Sequence, residues 1–509
     1  METIQEQESI ATEIQTAVRH SAVYGLGNVL AKALGFLMLP VYTHYLTPKD
    51  YGILEVLDLS MSVLAMFLNM GITAAVLRSY AGAKSIEAKQ HIVSTAFLSV
   101  VITGLAVFFA GLPFVGWGSA LIFGPGVPAR YLLVSFAAFV LGYIAMLPRT
   151  YLRALDASGA FVIVDTGSLV LLLVLNVLFI AVLKVGLIGI LLSSLLVAAL
   201  QVVTLSVWML RKVGITFRTP LLRQMLSFGA PLMFSNLAVF VLNFSDRFFL
   251  QHLRSLDIVG IYAVGYKFGY MLNYLLVQPF FVMWQSRMFT IHARDDHPKI
   301  FGQFFMLYSL VLIYAGLALS LLSPDIVRIM VGGQFAASQE VIPIVTLAYI
   351  LYGLGFYVQV GMFVTNKTNL IGLIGVGSAF VNLALNYFLI LRYGMLGAAW
   401  ATLLSFLAMA VWSYWQSNRV YPLPLRVGRV AIVMALGVCL YLFSRWFIPR
   451  SFATTLLMKA VLLTVFPAVV WKARILSHAE IGTVISTRDS VIAAVSRLLG
   501  SRSKKDSNV

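Results

Sequence analysis

Apolar residues along this chain gather into unbroken runs of about twenty, separated by short polar connections. The runs lie near residues 21–43, 52–77, 91–112, 130–148, 161–183, 187–210, 226–250, 258–284, 301–322, 340–364, 369–391, 395–416, 427–447 and 452–471. Each has the length a helix needs to cross a hydrocarbon core of about 30 Å. Barrel strands would be about ten residues long and would alternate in polarity. The pattern therefore predicts an all-α membrane protein of about fourteen transmembrane helices. The longest outside connection, near 113–129, is too short for a folded catalytic domain.

Composition agrees. Of 509 residues, 60% are hydrophobic and only 11% charged, against about 25% charged in soluble domains, which rules out a multidomain cytosolic enzyme. The first twenty residues are polar, with Glu2, Glu6, Glu8 and Glu13, so no cleavable signal peptide is expected and the first helix inserts uncleaved. The net charge of +17 would suggest nucleic acid in a soluble protein. In a membrane protein, orientation explains it better and no nucleic-acid partner is expected. With the N-terminus inside, 24 Lys and Arg fall on the cytoplasmic side and 8 outside, so both termini are expected in the cytoplasm.

The chain also resembles itself. At a constant offset of 208, Asn28 matches Asn236, Gly52 matches Gly260, Gly124 matches Gly332, and the segment 184–189 matches 392–397. Six helices per repeat, an even number, means that both copies enter the membrane in the same sense. The expected organisation is a cytoplasmic segment (1–20), an N-lobe of six helices (21–215), a C-lobe of six (216–420), two further helices (421–473) and a cytoplasmic tail, amphipathic then disordered (474–509).

Polar residues inside the spans carry the candidate chemistry, because an ionisable group in a membrane helix is costly and usually faces a partner or a wet cavity. Tyr24, Asn28 and Lys32 recur every four residues in the first span; Glu55, Asp58, Ser62 and Asn69 share a face of the second. The seventh span carries Asn236, Asn243 and Arg247 with Asp246 beside the last, and the eighth carries Tyr262, Tyr266, Tyr270 and Asn273 with Lys267. Arg78, Arg149, Arg153 and Arg287 sit at cytoplasmic helix ends, where they border a cavity mouth or serve only as orientation signals. Glu55 and Asp58 read first as a solvated helix start and second, with Asp246, as coupling or gating acids. Asp246 and Arg247 project about 100° apart on a helix, so their adjacency does not make them a pair. The tyrosines of the eighth span read as packing or as platforms for sugar rings.

Other chemistries lack their residues. No Gly-x-x-x-x-Gly-Lys-Ser/Thr loop is present for nucleotide phosphates, no HExxH motif occurs among seven histidines, and Cys439 is the single cysteine. Metal sites, disulfides and catalysis are disfavoured, and transport is favoured.

The segments Gly-Asn-Val-Leu-Ala-Lys-Ala-Leu-Gly-Phe-Leu-Met-Leu-Pro (27–40), Tyr-Leu-Thr-Pro-Lys-Asp-Tyr-Gly (45–52), Ser-Asp-Arg-Phe-Phe-Leu (245–250) and Val-Gly-Ile-Tyr (259–262) resemble the polysaccharide-repeat, Wzx-like flippases of the multidrug/oligosaccharidyl-lipid/polysaccharide (MOP) superfamily. The resemblance spans the chain and includes the six-plus-six duplication and two extra helices. It implies a bacterial inner-membrane transporter that moves undecaprenyl-pyrophosphate-linked oligosaccharide units from the cytoplasmic to the periplasmic leaflet, for O-antigen or exopolysaccharide synthesis. It also implies lipid partners, with a polysaccharide polymerase and chain-length proteins as candidate associates; no cofactor is expected, and the energy comes either from an ion gradient, with a proton or sodium ion as candidate coupling ion, or from downstream removal of the glycan. Asp246 stands at the family's acidic position in the seventh helix. The expected substrate site joins the cations Lys32, Arg78, Arg153, Arg247, Lys267 and Arg287 to the polar groups Tyr24, Asn28, Asn236, Asn243, Tyr266, Tyr270 and Asn273, around a cationic central cavity. A multidrug/cation antiporter of the superfamily, a lipid II flippase and, outside the superfamily, a major-facilitator sugar permease or a membrane glycan polymerase are the alternatives.

Overall fold

The structure is a computed structural model, and it describes residues 36–447 and 451–474, the side chains of residues 230–236, 238 and 286 excepted. Tyr24, Asn28 and Lys32, the side chain of Asn236 and the tail beyond 474 lie outside the described residues. Among the described residues there are α-helices and short 3-10 and π turns and no strands. In chain order the helices are α1 (Leu39–Tyr45), α2 (Pro48–Asn69), α3 (Ile72–Gly82), α4 (Ile86–Gly111), α5 (Val115–Phe123), α6 (Ala129–Ala154), α7 (Ser158–Val177), α8 (Leu187–Val213) and α9 (Thr219–Leu253). They continue as α10 (Leu256–Leu272), α11 (Gln278–His292), α12 (His297–Met330), α13 (Val341–Val358), α14 (Val360–Val364), α15 (Thr368–Tyr393), α16 (Met395–Val420), α17 (Val427–Trp446) and α18 (Phe452–Lys472).

Eleven stretches of the described residues are long and apolar enough to cross a membrane, each overlapping one of the fourteen runs. This is a multi-pass membrane protein. The other three runs are 21–43, most of it outside the described residues, and the two in α9 and in α10 with α11, the helices that carry Asp246, Arg247 and Lys267. The connection expected near 113–129 is largely helical, since α5 forms there.

The helices group into two compact units. The first comprises the described residues up to Lys267, Asp325–Val341 and Gly375–Ser405; the second comprises Phe268–Pro324, Ile342–Ile374 and Phe406 onward. In the first unit, Val93, Ala96 and Val100 of α4 pack with Val140 and Leu147 of α6 and Met209 of α8 to form a fully buried apolar core. The link after α8 is laced to α4: the Ser94 hydroxyl donates to the Gly214 carbonyl (3.1 Å) and accepts the Thr216 N–H (2.8 Å), and the Arg218 N–H donates to Thr95 Oγ1 (3.2 Å). These bonds satisfy backbone groups that the end of α8 leaves without helical partners.

The second unit is built on aromatic packing. Phe280 and Trp284, one turn apart on α11, stack on Tyr308 (3.8 Å between centroids) and Tyr357 (4.7 Å) respectively, and the Tyr357 hydroxyl donates to the Phe301 carbonyl (2.7 Å). Aromatic pairs contribute about 0.5–1.5 kcal/mol each beyond their burial.

Candidate functional site

The sequence Leu-Thr-Pro-Lys-Asp-Tyr-Gly (46–52) is a helix start. Thr47 Oγ1 accepts the Asp50 N–H (3.1 Å), Asp50 Oδ2 accepts the Thr47 N–H (3.2 Å), and Pro48 takes the first helical position, where no N–H is needed. At the repeat offset, Ser255 Oγ accepts the Ile258 N–H (3.3 Å) and starts α10 in the same way.

The two capped ends cross at glycine. A Cβ on Gly52 would lie 2.9 Å from the Leu256 carbonyl carbon, and one on Gly260 would lie 2.9 Å from that of Pro48, nearer still to the oxygens. Pro48 and Leu256 are themselves 208 residues apart. Exchanging the repeats maps one contact onto the other, as a two-fold relation requires. The Gly52–Gly260 coincidence in the sequence is thus a steric requirement. A second crossing joins Gly71, at φ +69° in the break between α2 and α3, to Gly229 of α9: a Cβ on Gly71 would sit 2.6 Å from the Gly229 carbonyl oxygen.

Beyond the Gly52–Gly260 crossing, α2, α9 and α10 enclose an ionic network inside the first unit. Arg247 is 1% exposed. Its Nη1 donates to Asp246 Oδ1 (2.6 Å) and to the Asn243 carbonyl (3.0 Å), and its guanidinium lies 3.7 Å from the ring centre of Tyr266. The second oxygen of Asp246 accepts a hydrogen bond from the Tyr262 hydroxyl, and the Tyr266 hydroxyl donates to the Asn243 carbonyl (2.8 Å). Lys267 Nζ contacts Glu55 Oε2 at 2.8 Å and donates to the Tyr51 hydroxyl at 2.9 Å. Glu55 Oε1 also faces Arg247 Nε at 4.0 Å, and that buried Nε has no hydrogen-bond partner. Two acids thus face two cations. The Lys267 side chain is 43% exposed, whereas that of Glu55 is 9% exposed. Asp58, one turn further along α2, is exposed.

This arrangement changes three readings. Glu55 is a buried ion-pair partner and not a solvated helix start, because α9 and α10 cover that face of α2. Asp246 and Arg247 do pair: their Cα–Cβ directions diverge, but the long guanidinium reaches back along its own helix to the neighbouring carboxylate. Tyr262 and Tyr266 are buried against Arg247 and so pack within the protein instead of presenting a free ring face to a sugar.

The remaining predicted residues do not join this network. Arg78 is exposed with its guanidinium 4.4 Å from the ring centre of Phe228. Arg149 lies 3.6 Å from Asp165, and Arg153 is exposed beside Phe161. In the second unit, Arg287 is exposed, Tyr270 packs on Tyr274 and Tyr349, and Asn273 is buried at the first residue of a π turn (Asn273–Val277).

Sequence reading passed over two groups. Tyr51 is the tyrosine of the Asp-Tyr-Gly motif, one turn before Glu55, and that spacing was its signal. Ser245, Asn382, Asn386 and Ser405 form a buried polar cluster: the Ser245 hydroxyl donates to Asn382 Oδ1 (3.0 Å), Asn386 Nδ2 donates to the same oxygen (2.9 Å) and Asn382 Nδ2 to Ser405 Oγ (3.3 Å). Two asparagines four residues apart in an apolar run mark one helix face. No group of three or more His, Cys, Asp or Glu converges in a metal-binding arrangement among the described residues.

The sequence profile of the polysaccharide biosynthesis protein family matches residues 17–283, more than half of the chain. No curated protein matches the sequence. Solved structures similar to the chain include the lipid II flippase MurJ in an inward closed conformation, with a TM-score of 0.70, 13% identity, and 89% of this chain and 100% of that one covered. A multidrug resistance MATE family transporter of the MOP superfamily in an inward-facing conformation gives 0.60, 14%, 79% and 96%. A MOP superfamily transporter from Pyrococcus furiosus gives 0.51, 14%, 82% and 96%. The proteins that share this fold are membrane transporters and flippases, not enzymes. Helical architecture, motif and profile converge: the chain belongs to the polysaccharide biosynthesis protein family and shares its fold with the MurJ and MATE structures.

Proposed function

We propose that this protein flips polyprenyl-pyrophosphate-linked oligosaccharide units across the bacterial inner membrane, from the cytoplasmic to the periplasmic leaflet, for assembly of O-antigen or exopolysaccharide. The observation that carries the reading is the pair Arg247 and Lys267, two cations held among tyrosines and asparagine on α9 and α10. A pyrophosphate bearing a glycan cannot enter hydrocarbon unaided, because its charges and hydroxyls lose their hydration without replacement partners. Lysine and arginine replace those partners through charge-assisted hydrogen bonds. Within the first unit, Asn243 adds a polar group beside Arg247, and the exposed Arg78 and Arg153 add further cations. The polyprenyl tail stays in lipid.

Alternating access of two like-oriented six-helix repeats moves the substrate, with both termini in the cytoplasm. Glu55, Asp58 and Asp246 are the acids available for coupling to a proton or sodium gradient. Handing the unit to a polysaccharide polymerase and chain-length proteins completes the sequence. The test is a deletion strain: lipid-linked repeat units accumulate on the inner leaflet with no periplasmic polymer, and reintroducing the chain restores it. Normal polymer in the deletion strain refutes the proposal.

A further inference from the structure

Both cations of the network are occupied. Glu55 engages Lys267 at 2.8 Å with one oxygen and faces Arg247 at 4.0 Å with the other, while Asp246 holds Arg247 at 2.6 Å. Counted as ions, the four groups sum to zero, so the network as it stands offers no net positive charge to an anion. The two acids are held differently. Asp246 is on the same helix as Arg247, one residue away, and bonds to it, to its backbone N–H and to Tyr262. Glu55 comes from a different repeat, makes one close ionic contact, and leaves the buried Nε of Arg247 without a hydrogen bond. An unsatisfied donor on a buried guanidinium is a costly feature, and it points at the carboxylate that would have to move.

We propose that Glu55 is a displaceable internal counter-anion: its carboxylate occupies the place on Lys267 and Arg247 that the substrate pyrophosphate takes, so that loading uncouples α2 from α9 and α10. Lys267 is the point of entry, since it is the network member with a substantially exposed side chain. Once the pyrophosphate takes the lysine and the free Nε, Glu55 is left buried without a cation, a state that persists only if α2 shifts to hydrate it. The Gly52–Gly260 crossing lies on the same pair of helices and opens in the same movement. The inference rests on the proposed function and adds to it the group that the substrate competes with.

Binding of geranylgeranyl pyrophosphate to the purified full chain in detergent tests this, with geranylgeraniol as the uncharged control. Glu55→Gln is expected to bind the pyrophosphate about tenfold more tightly, to leave the alcohol unchanged, and to lose that gain when combined with Lys267→Ala. Unchanged or weaker binding by Glu55→Gln, with Lys267→Ala still weakening it, overturns the displacement and leaves the transport proposal standing. Indifference of binding to Lys267→Ala and Arg247→Ala alike overturns both. A measurement on the unmodified chain covers the case in which Glu55→Gln does not fold: carbodiimide-coupled amine labelling of Glu55, read by mass spectrometry, is expected to rise on adding the pyrophosphate and not the alcohol. Labelling that is unaffected overturns the proposal.

Discussion

Alanine at Gly260 is the sharpest perturbation of the crossing between α2 and α10. The added Cβ would stand 2.9 Å from the Pro48 carbonyl carbon and 3.0 Å from the Gly52 nitrogen, against 3.4 Å for ordinary contact. Both neighbours are backbone, and the Pro48 carbonyl oxygen is nearer still, so no side chain can turn aside and the helices must part by more than the roughly 0.5 Å that these two contacts alone require. Overpacking of this kind costs about 1–3 kcal/mol, a factor of roughly 5–150 in an equilibrium. Lys267 lies two turns along α10, and its 2.8 Å contact to Glu55 loosens as the helices separate. The expected result is a shift toward conformations in which α2 and α10 are apart. A reporter cysteine at Val259, fully buried beside the crossing, in a Cys439→Ser background, measures this as maleimide labelling rate. Gly260→Ala is expected to raise that rate at least fivefold, and Gly428→Ala, which meets open space, to leave it unchanged. Equal labelling with and without Gly260→Ala refutes a tight crossing.

The two-fold relation predicts that Gly52→Ala raises the Val259 labelling rate by a similar factor; an effect confined to one of the two glycines contradicts it. Asp246→Ala leaves Arg247 buried without its close anion, which costs about 3–5 kcal/mol. Folded yield by size-exclusion chromatography is expected to collapse, and Asp246→Asn with Arg247→Met to recover most of it. Thr47→Ala and Ser255→Ala each remove one cap, worth about 1 kcal/mol, and a lower detergent melting temperature for both, with Thr47→Ala the larger because it also breaks the reciprocal bond from Asp50, is the expected outcome.

Much of the architecture was legible because membrane solvent forces it. Every backbone group must be bonded within its own helix, so apolar runs of twenty residues could be little else, and eleven of them recur as long apolar helices. Lys267 and Arg247 were equally visible, since a cation in an apolar run stands out. What escaped was partnership. Glu55 sits two turns from its helix cap, a position that in isolation looks solvated; only the packing of α9 and α10 over it, set by glycines 208 residues apart, makes it buried. Asp246 and Arg247 were misjudged because helical geometry gives the direction of Cβ and not the reach of a guanidinium four bonds further out. Tyr51 was hidden inside a motif whose capping function is local, while its hydroxyl serves a lysine 216 residues away.

Flipping can be followed in vesicles holding the purified full chain, where lectin binding reports the leaflet that exposes the glycan of a polyprenyl-pyrophosphate-linked oligosaccharide. Rapid transfer is expected with the wild-type chain, and a loss of at least tenfold with Lys267→Ala and with Arg247→Ala at equal reconstituted amounts. Transfer at the wild-type rate by both variants would contradict a role for the two cations.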